Sequence, residues 1–251
     1  YTADGRIFSV NYQYNVNKPT SMNVWLDGFS DNPIKVTVGH NTHAYKQMVT
    51  KATTAKDGQT YKKCTVCGAV TGKTVIPKAS NIKLSKTAYT YNGKVQRPGV
   101  TVKNSKGKAL KNGTDYTVSY PKGMKNVGKY TVKVTLKGNY SGSKSMTYNI
   151  NPKGTSVSKV TAAKKGFKVT WKKQATQTTG YQVQYSTSSK FKSAKTVTIS
   201  KNKTTSKSVN KLSAKKKYYV RVRTYKTVKI GGKSVKLYSG WSKAKSVTTK
   251  K

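Results

Sequence analysis

The chain contains no glutamate and very little acid of any kind. Its 251 residues hold five aspartates (Asp4, Asp27, Asp31, Asp57, Asp115) against 51 lysines and arginines, for a net charge of +46. A paired-carboxylate catalyst needs two acids facing one cleft. Only Asp27 and Asp31 are close in sequence, and they read as loop caps. Few cations can find a carboxylate inside the chain, so self-repulsion must be tolerated or screened. Leucine is scarce while Gly, Ser, Thr and Val dominate, which argues against helix. No apolar run approaches the roughly 20 residues that a membrane-spanning helix needs, and no charged-then-apolar leader opens the chain. The chain starts at Tyr1 and not Met, as expected of a protein whose signal peptide has been removed or of a piece of something longer.

High charge with modest apolar content is also the signature of disorder. That reading fails here because the lysines interleave with Val, Ile, Thr and Tyr at strand spacing. The most regular example is Leu212–Tyr225. Tyr218, Val220 and Val222 fall on one face, and Tyr219, Arg221, Arg223 and Tyr225 on the other. β-branched and aromatic residues of this kind suit a pleated, half-buried surface. The expected architecture is all-β: tandem small modules, each with a thin core. The divisions read as a β element over 1–38, a Cys/His module over 39–79, a first sandwich over 80–152 and a second over 156–251.

In the first segment, Ile7–Val16, Met22–Leu26 and Ile34–Val38 are the strand candidates, expected as the remainder of an upstream domain. The next segment holds both histidines and both cysteines: His40 and His43, then Cys64 and Cys67 followed by Gly68. Two ligands separated by two residues can point at one ion, and two imidazoles with two thiolates make a closed tetrahedral site. A module this small has little core, so a metal would supply folding energy. Zinc is the expected ion. The competing readings are a Cys64–Cys67 disulfide, a redox pair and unliganded histidines. Catalysis by the metal is not expected, since four protein ligands leave no open position. The segment resembles the short Cys/His, zinc-ribbon-like modules of surface proteins from Gram-positive gut bacteria. Asp57-Gly58 stands at the turn expected there, and His40 takes the place of the usual first cysteine.

From Ile82 to Pro152, short strand candidates alternate with Asn-Gly and similar turn signals. The run from Asn126 to Gly142, with its Gly-Lys-Tyr strand and Gly-Asn-Tyr turn, resembles the bacterial Ig-like repeats. The last segment resembles a fibronectin type III domain. Phe167–Trp171 matches its second strand, with Trp171 as the core tryptophan. Gly180–Tyr185 matches the third. Leu212 and Tyr218 match the tyrosine corner, which implies a hydrogen bond from Tyr218 back to nearby backbone.

Two of only four arginines, Arg221 and Arg223, alternate on the Leu212–Tyr225 strand. Guanidinium groups stack on aromatic faces. Tyr238-Ser-Gly-Trp241-Ser is similar to a Trp-Ser motif in some receptor fibronectin modules, and Trp241 is expected to stack on both arginines as scaffold. The competing reading makes Tyr219, Arg221, Arg223 and Tyr225 a ligand-facing patch. No nucleophile–base pair is visible, so an enzyme is not expected. The expected function is a secreted or surface-attached, monomeric binding or spacer array. Its lysines would rest on anionic polymers or glycans of a cell wall or host surface, not specifically on nucleic acid. The alternatives are the accessory tail of a secreted hydrolase and host-directed signalling by the fibronectin-like module.

Overall fold

The computed structural model describes the backbone of residues 20–24 and 34–38 and the whole of residues 43–251. The strand expected at Ile7–Val16 lies outside the described residues, as do His40, Asp27 and Asp31. Strands β1 (Thr20–Val24) and β2 (Ile34–Val38) pair antiparallel, with Thr20 opposite Val38. No helix occurs among the described residues.

Strands β3 (Tyr45–Thr50), β4 (Gly58–Cys64) and β5 (Val70–Ile76) form an antiparallel sheet in that order. Its strands are mostly exposed on both faces, so this sheet encloses no core of its own. It is fastened to its neighbour instead. Ala52, in the turn after β3, bridges to Tyr140, and its amide donates to the Asn139 carbonyl at 3.0 Å. Ala52 and Ile76 are buried in one cluster with Ile82, Val102, Val134 and Leu136. Gly58 makes the close approach possible. A Cβ there would collide with the Thr50 carbonyl oxygen and the Ala52 nitrogen, with the Lys51 carbonyl carbon at 2.7 Å.

Only Pro77 and Lys78 separate β5 from β6 (Ala79–Leu84). Strand β6 pairs with β8 (Val100–Asn104). Facing that pair is a four-stranded sheet of β7 (Ala88–Thr90), β11 (Ser143–Asn151), β10 (Gly128–Leu136) and β9 (Tyr116–Ser119), in that order. Along β10 the period-two pattern buries Val132, Val134 and Leu136 and exposes Thr131, Lys133 and Thr135. Tyr148 and Ile150 of β11 pack with Met124 and Val132 in a second buried cluster.

The C-terminal unit is a two-sheet sandwich. One sheet orders β12 (Val157–Ala163), β13 (Gly166–Trp171) and β16 (Ser206–Val209). The other orders β15 (Lys195–Ile199), β14 (Gly180–Ser186), β17 (Lys217–Ile230) and β18 (Lys233–Tyr238), with β19 (Lys245–Thr248) also paired to β17. Phe167, Val169 and Trp171 from one sheet meet Tyr181, Val183, Tyr185, Tyr218, Val220 and Val222 from the other. Full burial of such side chains stabilises by about 1.5–3 kcal/mol each. Strand β17 runs five residues beyond Tyr225 and returns as β18 through Gly231 and Gly232, both at positive φ. The sequence reading did not foresee this ribbon, and it leaves Trp241 between strands β18 and β19 and not on a strand.

Candidate metal centre and cationic face

In the sheet of the C-terminal unit, Gln184 lies opposite Arg221 and Gln182 opposite Arg223. The core side of both strands is filled, so these four side chains share the outer face. Arg221 Nε donates to Gln184 Oε1 at 2.8 Å. Arg223 Nε and Nη2 donate to Gln182 Oε1 at 2.9 and 2.7 Å. Each glutamine Nε2 then donates to a β15 threonine hydroxyl, Thr196 or Thr198, at 3.2 Å. Two Thr–Gln–Arg rows thus cross three strands. Neutral amides hold the positions where carboxylates would cancel the guanidinium charge.

The same two guanidiniums sit in an aromatic ladder. Arg221 Cζ lies 3.8 Å from the Phe191 ring centre and 4.8 Å from Trp241. Arg223 Cζ lies 4.3 Å from Trp241 and 3.9 Å from Tyr238. Burial pulls both arginine pKa values down; Tyr238 opposes that at Arg223, and Arg221 adds to it. Arg97 approaches Tyr120 at 5.6 Å, so every arginine among the described residues faces an aromatic ring. Tyr219 is half-buried, with the Lys217 ammonium 5.6 Å from its ring. Tyr225 does not belong to an exposed patch. It is only 2% exposed, packed against the Tyr238 ring and close over Gly180, so the outer face ends at Arg223. The sequence reading missed Phe191, which sits in the 187–194 loop at φ 57°, where no periodicity could mark it. Gln182 and Gln184 were readable as the outward positions of β14, but nothing in sequence pairs them to arginines three strands later in the chain.

Trp171 is buried with its ring 5.3 Å from Tyr181, and Leu212 packs against the same cluster. The tyrosine-corner hydrogen bond is not made. Tyr218 instead packs its ring between Phe167 and Tyr185 and, with Leu212, lines a cleft.

Of the four residues expected to hold a metal, the structure brings His43, Cys64 and Cys67 together, their ligand atoms all within 4.8 Å of one another. His43 Nδ1 is 3.4 Å from Cys67 Sγ. That matches the edge of a tetrahedron around zinc, roughly 3.5 Å for one nitrogen and one sulfur ligand. The Val66 amide donates to Cys64 Sγ at 3.4 Å and the Ala69 amide to Cys67 Sγ at 3.5 Å. Such bonds favour thiolate over thiol. Burial pushes the Cys64 pKa up, but the hydrogen bonds from Cys67, His43 and Val66 outweigh it and lower the value to about 6. No disulfide joins Cys64 and Cys67. The donor set therefore fits a structural zinc site.

The fold defines an array of β-sandwich units. Residues 151–239 match the family described as Fibronectin type III domain, so the C-terminal unit is a fibronectin type III domain; the match does not extend over the chain as a whole. No curated protein matches the sequence. Among solved structures, the FN1-FN3 domains of chicken CNTN1 are similar at 14% identity over 78% of each chain, with a TM-score of 0.33. A two-domain fibronectin type III segment of chicken tenascin is similar at 17% identity over 69% of this chain and 99% of that one, with a TM-score of 0.36. Fibronectin type III domains are typical of extracellular binding and spacer segments. No helix among the described residues is long and apolar enough to cross a membrane.

Proposed function

We propose that this chain is a non-catalytic extracellular adhesion and spacer segment that docks on anionic polymers of a cell wall or host surface. One observation carries the reading. The two aspartates among residues 43–251 spend their carboxylates on backbone amides: Asp57 Oδ1 accepts from Lys78 N at 2.7 Å, and Asp115 Oδ2 from Lys111 N at 2.8 Å. Among the described residues these two side-chain carboxylates are far outnumbered by lysines and arginines, and Arg221 and Arg223 are held by neutral amides. Solubility alone needs far less positive excess than +46. Binding of this kind is steeply salt-dependent and weakly selective. Purified chain should be retained on isolated cell walls or an immobilised acidic polysaccharide at low salt and released as salt rises. Absence of retention at low salt sinks the proposal.

His43, Cys64 and Cys67, with His40 as fourth ligand, would hold a zinc ion in this reading. A sheet with no core of its own gains from a metal the stability it cannot draw from burial. The ion would be structural, closing the Cys64–Gly68 turn onto the segment before β3. Elemental analysis should find one zinc per chain. A chain with no zinc and no titratable thiols defeats this part.

A further inference from the structure

We infer that the cleft between the 187–195 loop and the 211–218 loop of the fibronectin type III domain is a binding site for one acidic sugar unit, held by its carboxylate or sulfate. The inference rests on the adhesion reading above and gives it a specific site.

The cleft is a cavity of about 200 Å³, floored by Tyr185 and Tyr218, with Leu212 on one wall and Lys192 and Lys195 at its rim. Tyr185 and Tyr218 are only 9% and 8% exposed. Their rings meet edge to face at 6.2 Å. Neither hydroxyl hydrogen-bonds to another group of the protein, and neither is sealed from solvent, so both are open to a ligand. Both line the cleft. Two tyrosines and two lysines therefore line one small space, and no carboxylate lines it.

The walls are preformed. Lys195 lies directly opposite Tyr185 in the pairing of β14 with β15, so both side chains leave the same face of the sheet. Ser186 Oγ donates to the Lys192 carbonyl at 2.7 Å and accepts from Ser188 N at 3.1 Å. Phe191 anchors the loop from outside by stacking on Arg221. Phe191 and Ser193 on one side, and Lys211 and Lys215 on the other, all adopt positive φ without being glycine. Strained backbone of this kind clusters at ligand sites and persists where surroundings fix it. The chemistry selects the ligand class. Hydroxyl and ammonium donors suit an oxyanion, and the Leu212 side chain and tyrosine ring suit the C–H face of a sugar. The volume suits one ring and not an extended chain.

The test uses the full chain, isotope-labelled, titrated with glucuronate and galactose 6-sulfate as probes, with glucose and inorganic phosphate as controls. Saturable shifts at the amides of Tyr185, Thr187, Ser193 and Tyr218 are expected with at least one acidic sugar and absent with glucose. Tyr185→Phe with Tyr218→Phe keeps both rings and should weaken binding tenfold or more. Lys192→Gln with Lys195→Gln, at exposed positions, should do the same without touching the core. Lys233→Ala with Lys236→Ala, on the distant ribbon, should leave affinity unchanged. Unchanged affinity in both the tyrosine and the rim-lysine variants overturns the site, and so do shifts spread evenly over the chain's lysines. Phosphate binding as tightly as either sugar overturns the sugar assignment. Retention on an acidic polysaccharide is measured beside it. Retention without cleft shifts sinks only the cleft, and cleft binding without retention sinks only the adhesion reading.

Discussion

Arg223 holds its guanidinium 4.3 Å from the centre of the Trp241 ring, and the same ring takes Arg221 at 4.8 Å. One indole thus separates two like charges that a period-two strand would otherwise set side by side. Removing it costs the two stacking contacts, about 0.5–2 kcal/mol each, and leaves the cations to repel across a gap. Trp241→Ala should lower the melting temperature of the fibronectin type III domain by about 4–30 °C, on a scale of roughly 4–8 °C per kcal/mol for a domain of this size. Trp241→Phe should recover more than half of that loss. A melting curve unchanged in Trp241→Ala, followed by circular dichroism, would show the ladder to be ornament and reopen the ligand-facing reading of Arg221 and Arg223.

The glutamines beneath the arginines make a second test. Gln182 and Gln184 accept from Arg223 and Arg221 with good geometry but without charge. Gln182→Glu with Gln184→Glu converts both to charge-assisted pairs. Surface ion pairs contribute about 0–1 kcal/mol, so a small rise in melting temperature is expected at low salt, fading at high salt. If the outer face instead depends on uncancelled charge for docking, the same variant should elute from an acidic polysaccharide at lower salt. A variant that is no less tightly retained shows this face to be uninvolved in adhesion.

The sandwich of the C-terminal unit was legible because its signals are local. Alternation in Phe167–Trp171, Gly180–Tyr185 and Tyr218–Val222 needs only neighbouring residues to be read, and each of these strands buries the predicted face. The ladder was half legible. Arginine and tryptophan are rare enough here to mark themselves, but Phe191 enters from a loop and was silent. Tyr225 follows the outward parity of its strand yet is buried, because β18 folds back and brings Tyr238 against it. Parity tells which face a side chain leaves from, not what later covers that face. The approach of His43, Cys64 and Cys67 to one another was legible from spacing, whereas the attachment of their sheet through Ala52 to Tyr140 was not, since one small residue in a turn carries no pattern.

Cys64 gives the chelated chain a pH dependence with a definite sign. Its folded pKa is lowered to about 6, from an ordinary value of 9.0. Between those values the unfolded state binds the extra proton, so stability rises with pH across that interval. The contribution is complete above about pH 9 and is lost as pH falls through 6. In the presence of chelator, the urea midpoint for loss of β3–β5 should therefore rise from pH 6 to pH 9, and Cys64→Ser should flatten that rise. A midpoint equally steep in the serine variant would place the titration elsewhere.

Gly58 tests whether the Cys/His sheet draws its stability from its neighbour. It has no unusual φ, so conformational freedom is not what requires glycine there. The requirement is space: a Cβ would meet backbone atoms of Thr50, Lys51 and Ala52, none of which can swing aside as a side chain would. Gly58→Ala must push the 51–57 turn outward. That withdraws Ala52 from the core it shares with Tyr140 and Leu136 and strains its bonds to Asn139 and Ser141. Overpacking of this kind costs about 1–3 kcal/mol. The loss should appear in both places at once, as faster amide exchange at Ala52 and Ser141 as well as in β3 and β4. Exchange that quickens only in β3 and β4 would mean that the small sheet stands by itself. In that case the zinc site, not the shared core, would be its main support.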